Sequence, residues 1–175
     1  AAICDIHLER LLTTIRSTLL RAAEVAINTN YPNNAELDFY CALARQCFIN
    51  EHVYACTDEE GQRANTLQDE LVAALETHAE ISLLRLVTVA MYFPLHKLPQ
   101  SERLLLRTWP DAVRLLLIPL VVEPSQERQL RATMPQLTTI EGEVSLSVQN
   151  MYEENPYPRW IKRLSIGNPT AVNDY

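Results

Sequence analysis

Apolar residues in the first part of this chain recur in steps of three and four. Between Ile3 and Ile27 they fall at Leu8, Leu11, Leu12, Ile15, Leu19, Ala22, Ala23 and Ala26, which draws one stripe down a single long helix. "NTNYPNN" interrupts it. Asn33 followed by Glu36 has the spacing of a capping box and opens a second helix through "AELDFYCALARQCFINEHVYA". Thr57 and Glu60 repeat that spacing before a third helix ending near His78, and "ISLLRLVTVAMYF" predicts an apolar fourth helix stopped by Pro94.

Beyond "PLHKLP" the period is more broken. Ser101 predicts the cap of a short helix through Leu106, and Pro110 suits a first helical turn, where a missing N–H costs nothing. "DAVRLLLIPLVV" predicts a buried helix or a bent apolar segment kinked at Pro119, and Pro124 opens "PSQERQLRAT". Thr138 with Glu141 is a third capping-box match, after which Val144, Val148, Met151 and Tyr152 line one face of a last helix. No alternating run with a hairpin turn occurs, and Asn-Gly and Asp-Gly pairs are absent. The expectation is an all-α fold, an irregular bundle of about seven or eight helices followed by an extended Pro/aromatic strap. Residues 1–154 then form the helical domain, and 155–175 a strap and linker toward a further domain.

Composition narrows the function classes. A chain of 175 residues, 47% hydrophobic and 21% charged, can bury one substantial core. Its three glycines, Gly61, Gly142 and Gly167, lie too far apart to build a phosphate-cradling loop. A net charge of -7, with only Lys97 and Lys162 as lysines, argues against nucleic-acid binding, which depends on clustered cations. "LLLRTWPDAVRLLLIPLVV" is apolar, but Arg107, Asp111 and Arg114 interrupt it and two prolines break it, so it predicts core and not a membrane span. Cys4, Cys41, Cys47 and Cys56 form no disulfide framework, and no secretory leader opens the chain, so the expectation is reduced thiols in a cytoplasmic protein.

Candidate chemistry is sparse. Cys47, His52 and Cys56 are the one metal-like grouping, yet Cys47 lies about 140° round a helix from the face shared by the other two. Buried thiols and a surface or satisfied histidine are the competing reading, and no metal site is assigned. His7, His78 and His96 have no neighbours that form a ligand or triad pattern. The acids of "TDEE" sit where a helix N-terminus attracts acids for structural reasons. Glu153 and Glu154 are a second acidic pair, inside the strap, and no catalytic residue is assigned to either set.

The strap itself, "YEENPYPRW", is the unusual feature. Asn155-Pro156 and Tyr157-Pro158 each force the residue before proline out of helical geometry, so the last helix must end near Glu154 and the chain run extended to Trp160. An extended segment holds its shape only by docking. Tyr157 and Trp160 supply apolar area, and Arg159 can pair with a carboxylate or stack on a ring. The candidate interface is therefore Tyr152, Glu153, Glu154, Asn155, Pro156, Tyr157, Pro158, Arg159 and Trp160, lying either across the chain's own helices or against another domain.

Together with "CALARQCFINEHVY" and "YFPLHKLP", the strap resembles the region just before the catalytic domain in a group of bacterial class I S-adenosylmethionine-dependent methyltransferases, many of which carry tetratricopeptide repeats further upstream. The likeness covers roughly residues 35 to 165. It implies a helical module that is not itself catalytic, part of a larger methyltransferase, with S-adenosylmethionine bound elsewhere. The partner it implies is a downstream methyltransferase domain of the same protein, with a homo-oligomer also open. No Gly-rich donor-binding turn is present, so no cofactor-binding residue carries over. A free-standing protein–protein interaction module is the alternative.

Overall fold

In the computed structural model, which describes residues 5–25, 32–133 and 143–154, the amphipathic periods become seven α-helices, with no strand among those residues. They are α1 (Ile6–Val25), α2 (Asn34–Ile49), α3 (Asp58–Thr77), α4 (Leu83–Tyr92), α5 (Asp111–Leu117), α6 (Glu123–Thr133) and α7 (Glu143–Glu154). The chain divides into two compact units, Ala2–Met134 and Pro135–Tyr175 with Ala1, and α7 belongs to the second.

Capping chemistry explains most of the helix starts. Asp5 begins α1 by accepting from the backbone N–H groups of His7 and Leu8, both at 2.9 Å. At α2 the box is complete: Asn33 Oδ1 accepts from Glu36 N at 3.0 Å, and Glu36 Oε2 accepts from Asn33 N at 3.1 Å. Thr57 caps α3 by accepting from Glu60 N at 3.1 Å, but Glu60 does not reach back, because its carboxylate turns inward. That diverted acid builds the interior described below.

α2 stops at Ile49, well before Ala55. Glu51 and His52 both take positive φ, 52° and 58°, and the His52 N–H returns to Cys47 O at 2.8 Å, so the chain leaves the helix through a left-handed turn. α3 ends at His78, again left-handed at φ 58°. Its last carbonyls find cations from a distant segment: Arg103 donates to Leu75 O at 2.8 Å and Glu76 O at 3.2 Å, and Arg107 donates to Ala74 O at 3.3 Å and, just past the helix, to Ala79 O at 2.7 Å. No basic residue occupies α3's own last turn, so these arginines satisfy the orphan carbonyls and the negative end of the helix dipole from outside.

Ser101 does not cap an α-helix. Ser101–Leu106 is a 3-10 turn that follows Gln100 in left-handed geometry, and Ser101 is buried. Trp109 closes this stretch by donating its indole N–H to Leu104 O at 2.7 Å. Further on, Pro119 neither ends α5 nor simply kinks it. A proline inside a helix lacks the N–H for the carbonyl one turn back and crowds it, and here the backbone widens into a π turn, Ile118–Val122, with Glu123 N bonded to Ile118 O. α6 continues directly from it.

Within the unit Ala2–Met134, α4 is the pillar. Leu83, Leu86, Val87, Thr88, Val89, Ala90 and Met91 are all buried, and α1, α2 and α3 pack against it. A helix apolar on nearly every side is stable only when surrounded, and each such aliphatic side chain contributes about 1.5–3 kcal/mol on burial. From α5 and the π turn, Val113, Leu116, Leu117, Leu120 and Val121 join the same core. The apolar stretch 104–122 is not core throughout. Leu106 is 85% exposed and Leu115 65% exposed, so it presents an apolar outer face as well. No described helix is long and apolar enough to cross a membrane.

Candidate functional site

The most unusual group in the interior is a cation. The buried face of α1 runs Leu12, Arg16, Leu19, Leu20 and Ala23, so Arg16 falls in the middle of an apolar stripe, and it is only 2% exposed. Its Nη2 donates to Ala55 O at 2.9 Å and to Glu60 Oε1 at 3.3 Å. The guanidinium lies 4.3 Å from the Tyr92 ring centroid and 5.1 Å from that of Tyr54. Tyr92 in turn donates its hydroxyl to Glu60 Oε1 at 2.5 Å. Residues from α1, α3, α4 and the loop after α2 thus share one charge pair between two aromatic faces.

Burial sets the proton chemistry around it. Desolvation pushes the Cys47 thiol up from 9.0 to about 11, with Arg16 and the hydrogen bond to Tyr54 pulling weakly the other way. Desolvation, together with the neighbouring thiol, pushes the Tyr54 hydroxyl up from 10.0 to about 12. Burial and the Glu60 hydrogen bond raise Tyr92 further still. All three hold their protons at neutral pH, and so they can donate hydrogen bonds but cannot act as bases or thiolate nucleophiles. The cluster is an internal electrostatic tie.

The grouping Cys47, His52 and Cys56 does not assemble. Cys47 is buried at the end of α2, Cys56 is exposed ahead of α3, and His52 Nδ1 lies 3.3 Å from Met91 O, with its ring edge-on to Phe48. Among the described residues no three His, Cys, Asp or Glu side chains are placed to hold a metal ion. The acids of "TDEE" divide their roles: Glu60 faces Arg16, while Glu59 pairs at the surface with Arg63 at 3.7 Å.

Shallow depressions mark the surface of the first unit. One, about 200 Å³, lies beside Glu60 and is lined by Ser17, Arg21, Thr57, Glu59 and Arg63. Arg63 is already committed there, to Glu24 at 3.0 Å and to Glu59. Another, about 220 Å³, lies between α2 and α5.

Of the nine strap residues, Tyr152, Glu153 and Glu154 form the end of α7, and Asn155, Pro156, Tyr157, Pro158, Arg159 and Trp160 lie outside the described residues. α7 presents Val144, Val148, Met151 and Tyr152 on one face, and all four are exposed, Val144 at 78%. Leu146 is exposed as well. Sequence reasoning found this face but missed the Arg16 cluster. The available signal was a lone arginine on the apolar stripe of α1. Comparison with known proteins found no matching protein family, no matching characterised protein and no matching solved structure.

Proposed function

We propose that this chain is a non-catalytic helical docking module that works beside a class I S-adenosylmethionine-dependent methyltransferase domain of the same protein. Its contact with that domain runs through the end of α7 and the strap Tyr152–Trp160. The observation that carries the docking role is the exposed apolar face of α7, Val144, Val148, Met151 and Tyr152, which leads straight into the proline- and aromatic-rich segment. An amphipathic helix with its apolar face bare gains stability by laying that face on another surface. The methyltransferase assignment rests on the sequence resemblance of "CALARQCFINEHVY", "YFPLHKLP" and "YEENPYPRW". The protonated tyrosines and thiol around Arg16 support the non-catalytic part of the reading, because this buried polar cluster is occupied in holding helices together.

In this role the module orients the catalytic domain or helps to cover its substrate site. The donor and the methyl acceptor are held by the other domain. The test is a comparison of methyl transfer by the product of the whole reading frame with transfer by the same protein lacking residues 1–160. The module reading expects loss of activity or of stability on truncation. Equal activity and equal thermal stability refute it. A reading frame without a methyltransferase domain leaves the same apolar face to a separate protein and turns the module into a free-standing interaction domain.

A further inference from the structure

Within the unit Ala2–Met134, the surface between α2 and α5 has the symmetry of a self-association site. On α2, Asp38, Cys41, Ala42 and Arg45 follow a three-, four- and seven-residue spacing and line one wall of the roughly 220 Å³ depression. Ala112, Leu115 and Leu116 of α5 form the other wall. Asp38 and Arg45 are both exposed, and neither takes part in an ion pair among the described residues. At the helical rise they stand about 10.5 Å apart along α2. Between them come only the thiol of Cys41 and the methyl of Ala42, so another backbone can approach closely. Leu115 stands at the rim with 65% of its surface in solvent.

The stripe is its own complement. A two-fold axis over the midpoint between Cys41 and Ala42 sets α2 antiparallel to a copy of itself and brings each Asp38 against Arg45 of the second copy. In such an isologous interface every contact occurs twice. The same operation sets α5 of both copies along one side of the paired α2 helices, so each Leu115 stands at the rim of the shared interface. The parallel arrangement sets Asp38 against Asp38 and is rejected by charge. We propose that the groove between α2 and α5 is a homodimer interface, with a second copy of this chain as its occupant. Leu115 and the small floor supply the apolar contact, while the two exposed ion pairs, individually weak, select the register.

Sedimentation equilibrium in reducing buffer, over a wide concentration range, tests this. The wild-type chain is expected to rise from its monomer mass of 20.0 kDa to twice that value. Asp38→Arg and Arg45→Asp, made singly, each turn two attractive pairs into two repulsive ones and should weaken the dimer by about tenfold. The double variant Asp38→Arg/Arg45→Asp restores both pairs and should recover wild-type association. Leu115→Glu should abolish it. All three side chains are exposed, so circular dichroism, and the melting temperature at concentrations where the wild-type chain is monomeric, should stay unchanged and confirm folding. A wild-type chain that remains at 20.0 kDa at every concentration overturns the proposal, as does association that survives Leu115→Glu or that the double charge swap fails to restore. None of these readouts involves methyl transfer, so their failure leaves the module reading standing.

Discussion

Replacing Arg16 with methionine keeps most of the side-chain volume and removes the charge. The structure predicts a large cost for this change. The variant loses the bond to Ala55 O, the ion pair with Glu60 and two aromatic contacts, and it leaves the Glu60 carboxylate, 13% exposed, with only the Tyr92 hydroxyl as partner. Breaking one side of a buried pair typically costs about 3–5 kcal/mol. Each cation–π contact accounts for about 0.5–2 kcal/mol of the interaction being removed. A net loss of about 3–4 kcal/mol is therefore expected, which is a large share of the roughly 5–15 kcal/mol that holds a typical domain together. Lysine should not rescue it, because an ammonium has no planar face to lie between the Tyr54 and Tyr92 rings while it bonds Ala55 O and Glu60. Glu60→Gln alone should cost less, about 1–2 kcal/mol, since Arg16 keeps the carbonyl and both rings. The double variant Arg16→Met/Glu60→Gln should cost less than the sum of the two singles, with a coupling of about 1–3 kcal/mol. Urea unfolding followed by circular dichroism measures all four quantities. An Arg16→Met cost below about 1 kcal/mol, or strict additivity with Glu60→Gln, refutes the claim that this pair ties the helices together.

Gly61 lies inside α3 with nothing within 4 Å of where a Cβ would sit, so Gly61→Ala should add about 0.5–1 kcal/mol, read as a higher urea midpoint with an unchanged slope. Thr88 is fully buried on α4 and its Oγ1 has no hydrogen-bond partner, so the near-isosteric Thr88→Val should stabilise by about 1 kcal/mol; a lower melting temperature contradicts this. Cys47 and Tyr54 titrate higher in the folded chain than their ordinary values of 9.0 and 10.0, so their contribution is intact below pH 9 and is lost as pH rises toward about 11 for Cys47 and about 12 for Tyr54. Unfolding free energy should therefore fall above pH 9, by up to about 1.4 kcal/mol per pH unit for each group, and Cys47→Ala should flatten the part of that slope between 9 and 11.

Local rules made the helices legible. Asn33, Glu36, Thr57, His78 and Pro94 mark helix ends through caps and a breaker, and those signals need only a few neighbouring residues. The end of α2 was harder to see, because Glu51 and His52 are not turn formers by composition and adopt positive φ through backbone bonds back to Phe48 and Cys47. Tertiary demands account for the other differences. Glu60 gives up its half of a capping box to neutralise Arg16, whose position on the apolar stripe of α1 becomes intelligible only once Tyr54 and Tyr92 are seen to enclose it. Arg103 and Arg107 cap a helix about 28 residues earlier in the chain, a link no local pattern carries. The π turn at Pro119 likewise depends on the surrounding core, because sequence alone allows either a kink or a stop. As for the candidate site, periodicity revealed the exposed face of α7, whereas the strap beyond Glu154 lies outside the described residues.

Amide hydrogen exchange across 143–165, compared between the product of the whole reading frame and the isolated 175-residue chain, tests the docking claim most directly. The account predicts that the methyltransferase-bearing protein protects α7 and the strap Tyr152–Trp160 strongly, and that the isolated chain exchanges there quickly while α4 stays protected in both. Equal exchange through Tyr152–Trp160 in the two proteins contradicts it.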